Sequence, residues 1–467
     1  MRKLQKTEQT GHQGMDSLED KEYLGAHSAA GGESTVQNGI QFVDLVLARA
    51  NLNLAFKRVR QNKGAAGVDG MTIDQLPEYT RKHRKELLES LRNGTYRPQP
   101  VRRVEIPKPD GSTRKLGVPT VIDRMIQQAV VQVLSPIYEQ VFSDNSYGFR
   151  PGRSAHDAIK SVTSLYNQGY HYVVDLDLKA YFDTVNHDLL MNFIQQQVTD
   201  PWLLHLIRRF LIRRFLTSGV MNGELFQDTT EGTPQGGNLS PLLANIYLNE
   251  LDTLLAQRGH QFVRYADDCN IYVKSKRAGE RVLRNVTAFL ENRLKLTINR
   301  HKTTVGSPLR LKFLGFTLGV DRNGAYPRPH KVVKQRIKRA LKVMTGRSRG
   351  ISWLMLMKEI KQKMRGWLQY YGIGKMKKFI QHLDEWLRSR IRQLIWKRWK
   401  KLKTRYRQLI KLGMTREQAK TFANTRKGYW RTAHSKTMTY TYTNQKLERL
   451  GLINMSKTLQ QIQMKNA

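Results

Sequence analysis

One cysteine, Cys269, stands in 467 residues. An internal disulfide framework and a cysteine-based zinc site are both excluded. Acidic residues are also scarce: 38 Asp and Glu face 80 Lys and Arg, a formal charge of +42. That excess points to a polyanionic partner, most simply nucleic acid, with an anionic membrane surface as the competitor. Long apolar runs are missing, and none approaches the length of a spanning helix. Met1–Thr10 is polar and has no signal-peptide core. The expectation is a soluble, intracellular, cytoplasmic protein with no membrane partner.

Where acids are rare, their placement carries information. Phe262 to Val273 reads as strand, tight turn, strand, with Asp267 and Asp268 at the tip. Adjacent carboxylates repel, and a divalent cation removes the penalty, because Mg²⁺ takes oxygen ligands from one or two carboxylates plus substrate phosphates. A solvated Asp-Asp turn is the plainer reading, and the pair alone favours it. Upstream, Tyr172 to Leu178 is a second acidic strand. Val174, Leu176 and Leu178 share one face; Asp175 and Asp177 share the other. A carboxylate at a strand end plus a pair on a hairpin suits two metals about 4 Å apart. That constellation fits in-line phosphoryl transfer. Cys269, beside the pair, reads as a small packing residue.

Residues 1–38 are polar and Gly/Ser-rich and read as a flexible tail. Helical spacing runs from Val43 to Arg60 and from Thr72 to Leu91. The glycine-rich loop Asn62–Gly70 between them lacks the Lys-Ser/Thr ending of a nucleotide P-loop. Val101 to Val118 reads as a hairpin turning at 107–111. Lys108 and Arg114 beside that turn fit a triphosphate clamp and a solvated basic hairpin equally well. Asp123 to Val141 is an amphipathic helix, and Ser154 caps another. Phe182 fits either a ring under a nucleotide sugar or a core aromatic. Leu206–Phe210 is repeated as Leu211–Phe215. Five residues turn a helix by about 140°, so the copies cannot share a face, and a peripheral helix or its extension is expected. The paired glycines of Thr233–Leu242 allow close backbone approach to a ligand. Leu311–Phe316 reads as a short buried strand.

Residues 331–430 hold 30 Lys and Arg but 4 Asp and Glu, and six of the seven tryptophans. Apolar stripes such as Leu383, Trp386, Leu387, Ile391, Leu394 and Ile395 oppose basic faces. Most of the tryptophans read as core, and the charge as a track for a phosphate backbone, with Lys397, Arg398, Lys400 and Lys401 as RNA-binding candidates.

Taken together and in this order, Asn62–Gly70, Arg103–Arg124, Ser146–Ser154, Asp177–Asp183, Thr233–Asn245, Tyr265–Asp268, Leu294–Lys302, Phe313–Phe316 and Arg365–Tyr371 resemble the motifs of bacterial group II intron reverse transcriptase–maturases. The resemblance spans roughly 40–455. It implies an α/β (α+β) right-hand polymerase. Residues 39–100 would be an N-terminal extension, 101–328 fingers and palm with an antiparallel sheet, 329–405 an α-helical thumb, and 406–467 a DNA-binding segment. Asp177, Asp267 and Asp268 match the metal-binding acids, with Leu178 lending its carbonyl to two Mg²⁺ ions. Lys108 and Arg114 match the triphosphate contacts, Phe182 the ring that excludes a ribose 2′-OH, Gln235 a residue beside the incoming nucleotide, and Lys302 a proton donor to pyrophosphate. The implied partners are group II intron RNA, an RNA template with DNA or RNA primer, target DNA and dNTPs. The chain lacks the Cys-pair and His pattern of an endonuclease domain, which resembles the compact class. The repeat at 206–215 looks like a five-residue insertion. A splicing cofactor, or a reverse transcriptase recruited to defence, repair or diversity generation, stands as the alternative.

Overall fold

The computed structural model describes residues 41–107, 113–211, 214–216, 226–228 and 236–466. The proposed tail therefore lies outside the described residues, as do residues 108–111 of the expected turn. The first helical stretch is split into α1 (Phe42–Leu47) and α2 (Arg49–Asn62). Ala48 between them takes ψ 135°, an extended value that interrupts the helix. α3 spans Leu76–Arg92.

The expected hairpin is present as β1 (Val101–Pro107) and β2 (Thr113–Val118), with Ile106 opposite Arg114. α4 (Val121–Glu139) begins at Thr120, whose hydroxyl accepts from the Asp123 amide. α5 (Ala155–Asn167) is capped by Ser154 as expected, and Asp157 completes the capping box. Next come β3 (Tyr172–Leu176), α6 (Tyr181–Thr184), α7 (His187–Gln195) and α8 (Pro201–Leu211). Strands β4 (Arg214–Leu216) and β5 (Phe226–Asp228) extend the first hairpin into a sheet of order β2-β1-β4-β5.

The tandem repeat departs from expectation. Its first copy lies in α8 and is core rather than periphery: Leu206, Ile207 and Phe210 are buried. Leu211 of the second copy is the buried last residue of α8, and Phe215 pairs in parallel with Val101 of β1. Identical residues take different structures because their neighbours differ: Phe210 buries a helical face, and Phe215 meets an open strand edge.

α9 (Ser240–Gln257) leads to β6 (Gln261–Tyr265) and β7 (Asp268–Val273), followed by α10 (Lys276–Asn292) and β8 (Thr304–Gly306). The second sheet has order β6-β7-β3-β8, antiparallel throughout. α10 covers one face. Gly279 permits the approach, since a Cβ there would lie 2.7 Å from Cγ1 of Val305 on β8.

The expected strand at 311–316 is instead a tight turn. Phe313 and Phe316 exchange backbone hydrogen bonds of 3.0 and 2.8 Å, and Leu314 and Gly315 both have positive φ, 50° and 82°. Two positive φ values define the turn that suits antiparallel twist. β9 (Phe316–Asp321) then pairs with β10 (Gly324–Pro329). α11 (Lys331–Met344), α12 (Trp353–Tyr371) and α13 (Lys377–Arg398) follow, with shorter helices to Asn466.

One apolar core gathers side chains from Val46 to Ile298, and a second from Ile337 to Leu459. A third cluster joins them: Val173, Val263 and Phe316 of the sheets pack with Tyr370 and Tyr371 of α12. Trp396 and Trp399 are buried in the second core, as expected of most tryptophans there. Helices and largely antiparallel sheets together make the α/β class that the sequence led us to expect.

Candidate active site

Tyr265 pairs with Asp268 across the β6–β7 ladder, so Ala266 and Asp267 are the two turn residues. Ala266 has φ 58°. A two-residue hairpin needs positive φ at its first central residue, where glycine is usual, and an alanine there stores about 1–3 kcal/mol of strain. The surroundings hold it. Arg264, fully buried, donates from one guanidinium nitrogen to the Ala266 carbonyl (2.9 Å) and to Asn245 Oδ1 (2.9 Å). Its Nε donates to the equally buried Asp252 at 2.8 and 3.0 Å. Asn245 and Asp252 both come from α9. Asn245 also donates to the Gly148 carbonyl at 2.8 Å. Gly148 lies against the turn so closely that a Cβ there would be 2.4 Å from the Ala266 nitrogen. The loop before it pairs with the outer edge of β6, Arg264 N donating to Asn145 O and Tyr147 N to Arg264 O, each at 2.9 Å.

β3 lies beside β7, with Asp175 opposite Asn270 and Leu176 opposite Cys269. Asp177 follows directly. Its amide donates to Thr303 Oγ1 at 3.1 Å, and its carbonyl accepts from Asn299 N at 2.8 Å. Lys179 N donates to Thr297 O at 2.8 Å. Leu178, paired with Ile298 between those bonds, is neither donor nor acceptor in the ladder. Lys302 Nζ stands 3.9 Å from Asp177 Oδ2. Partial removal from water, then the charges of Asp268 and Asp177, raises Asp175 to about 6. Asp268 is exposed, yet partial loss of water around it among the neighbouring strands, followed by the charges of Asp267 and Asp177, also lifts it to about 6. Lys312 opposes both rises. Burial pushes the Cys269 thiol well above its usual range, which fits a packing role.

Carboxylates that raise one another in this way make an oxygen donor set that favours a divalent cation. Among the described residues no three His, Cys, Asp or Glu side chains form a cage by themselves. The set therefore fits an ion that completes its shell with a backbone carbonyl, water and substrate phosphates, the habit of Mg²⁺.

The other candidates fall as follows. Lys108 and Gln235 lie outside the described residues. Arg114 is placed on β2 by its backbone alone. Gly236, next to Gln235, has its close approach to the protein itself: a Cβ there would meet the Gly117 carbonyl of β2 at 2.5 Å. Phe182, on α6, is 9% exposed and meets Tyr181 edge-on at 5.2 Å. Lys397 and Arg398, near the end of α13, donate to the carbonyls of Arg347 (2.6 Å) and Ile351 (2.8 Å), whereas Lys400 and Lys401 are exposed. The structure thus brings Asp177, Asp267, Asp268 and Lys302 to one sheet end and leaves the RNA candidates elsewhere, Lys397 and Arg398 at the end of α13 and Lys400 and Lys401 in the link that follows it. Sequence reading missed Arg264, Asp252 and Asn245. The available signal was an arginine within the apolar run Phe262-Val263-Arg264-Tyr265. It also missed Lys312, hidden by the strand expected over 311–316.

Residues 106–318 match the family model described as "Reverse transcriptase (RNA-dependent DNA polymerase)". Residues 334–413 match "Group II intron, maturase-specific domain". The "Group II intron-encoded protein LtrA" of Lactococcus lactis subsp. cremoris is 32% identical over 357 residues, 62% of this chain and 58% of that protein. "Protein YkfC" of Escherichia coli (strain K12) is 35% identical over 284 residues, 52% of this chain and 73% of that protein. The chain thus spans under two thirds of the length of the first of these relatives.

Proposed function

Because the chain belongs to the family of group II intron-encoded reverse transcriptases and maturases, we propose that it copies RNA into DNA and binds its parent intron RNA to assist splicing and mobility. One observation carries the reading. Asp177 at the end of β3 and Asp267 and Asp268 on the adjoining β6–β7 hairpin converge inside the segment that matches the reverse transcriptase family. An acid-tipped antiparallel sheet covered by helices, followed by a helical domain, is the architecture of a right-hand polymerase.

Two Mg²⁺ ions held by Asp177, Asp267, Asp268 and the Leu178 carbonyl would neutralise the attacking 3′-oxygen and the departing pyrophosphate. The remaining roles belong to the chain. Lys302, beside Asp177, delivers a proton to pyrophosphate. Lys108 and Arg114 hold the triphosphate of a dNTP, Phe182 packs under its sugar, and Gln235 lies beside it. RNA template with DNA or RNA primer, intron RNA and target DNA are the macromolecular partners, met by the basic region and by Lys397, Arg398, Lys400 and Lys401. The domain limits proposed are those at 39–100, 101–328, 329–405 and 406–467.

Primer extension on an RNA template with dNTPs and Mg²⁺ tests the reading. Wild type extends; Asp177→Asn and Asp267→Asn lose extension while retaining RNA binding. Near-normal extension by either variant sinks the site assignment.

A further inference from the structure

Away from the acidic sheet end, a pocket of about 540 Å³ opens between α11, α13 and the short helix Tyr429–Ala433. Volumes of this order hold small ligands. No carboxylate lines it. Lys338, Arg339 and Lys342 border it from α11, and among the described residues none of the three has a carboxylate at ion-pair distance. Lys338 and Lys342 are four residues apart and therefore share one helical face. Arg390 forms part of the wall and is locked in place, donating to the carbonyls of Lys342 (3.1 Å) and Thr345 (2.7 Å).

The walls are aromatic as well as cationic. Trp386 has Lys338 over its ring at 5.4 Å and Arg390 at 5.8 Å. Trp430 is 42% exposed, unlike Trp396 and Trp399 in the core beneath. Its ring is braced edge-on by His434 at 4.3 Å. Gln393, 6% exposed, forms part of the lining and its Oε1 has no hydrogen-bond partner. A buried amide oxygen without a partner is costly to leave unmet.

Uncompensated cations, an exposed indole and an unmet amide in one concavity fit a ligand that is anionic, flat and polar-edged. We propose that this pocket binds one unstacked nucleotide of single-stranded or looped RNA. Its phosphates lie on Lys338, Arg339 and Lys342, its base stacks on Trp430, and the base edge faces Gln393. An acidic peptide would satisfy the lysines but leave the indole and the amide without partners. The proposal rests on the RNA-binding reading above and assigns that reading a specific contact.

The test uses the full chain and two probes: a single-stranded oligoadenylate RNA and an abasic ribose-phosphate oligomer of equal length. Wild type binds the oligoadenylate more tightly. Stacking of one base predicts that Trp430→Ala loses about 5- to 150-fold of that affinity while abasic binding is unchanged. Trp430→Phe retains most of it. Lys338→Ala with Lys342→Ala weakens both probes alike and lowers the salt slope by about 1 to 2. Circular dichroism and Tm stay near wild type in every variant, which separates a lost contact from a lost fold. The pocket proposal is overturned if Trp430→Ala weakens both probes equally or neither. Failure of wild type to bind either probe overturns the RNA-binding reading itself.

Discussion

Arg264 holds the Ala266 carbonyl at 2.9 Å while its other guanidinium edge is paired with Asp252. A residue with no access to substrate thereby sets the turn that presents Asp267 and Asp268. The pair has no contact with water, so removing one member leaves the other charged and buried, at about 3–5 kcal/mol.

Arg264→Lys keeps the charge but not the fork that reaches Asp252, Asn245 and Ala266 together. The expected outcome is a protein that folds with a lower Tm. Its kcat for primer extension falls at least about tenfold while KM for template-primer stays near wild type. An unchanged kcat refutes the positioning role.

The raised acids predict a pH dependence. Asp175 and Asp268 titrate near 6 in the folded chain against 3.8 normally. Between those values the folded state holds more protons than the unfolded state, so metal-free stability falls as pH rises. Ionised carboxylates then bind a divalent cation. Millimolar MgCl₂ should therefore raise Tm more at about pH 8 than at about pH 5. Asp268→Asn should shrink that difference, and an equal rise at both pH values counts against the assignment.

Phe182 is nearly buried, and truncation to Ala risks about 3–5 kcal/mol of core stability. Phe182→Val is the milder probe. If the ring packs under deoxyribose, this variant incorporates rNTPs in greater proportion to dNTPs than wild type does. An unchanged ratio with a lowered Tm assigns the ring to the core alone.

Deleting five residues from 206–215 leaves the same chain whichever copy is removed. The remaining Leu-Ile-Arg-Arg-Phe fills the buried positions of α8, and the β4 pairing to β1 is lost. The variant should remain folded by circular dichroism, with KM for dNTP raised because the β1–β2 hairpin loses a neighbour. Insoluble protein would mean that β4 is needed for folding itself.

Much of the acidic sheet end is legible in the sequence. Period-two alternation put Asp175 and Asp177 on one side of β3, and the aromatic run around Asp267 announced a hairpin. These readings succeed because strand facing and turn chemistry are local properties. Ser154 signalled its helix start for the same reason.

Other features were set by partners distant in sequence. Nothing within Leu206–Phe215 says that Phe210 is helical and Phe215 in a strand; the free edge of β1 decides it. Leu314, at φ 50°, accepts a conformation that its own side chain disfavours, in a turn with Tyr370 bonded to its carbonyl at 3.0 Å. Arg264 reads in isolation as one more cation among 80 Lys and Arg. Only the packing of α9 against β6, which brings Asp252 and Asn245 to it, makes it the anchor of the acidic turn. The sequence by itself determined the chemistry available, namely which acids exist and which strand face each occupies. The tertiary structure decided how those acids are held, because a buried charge takes its meaning from the groups the fold sets around it.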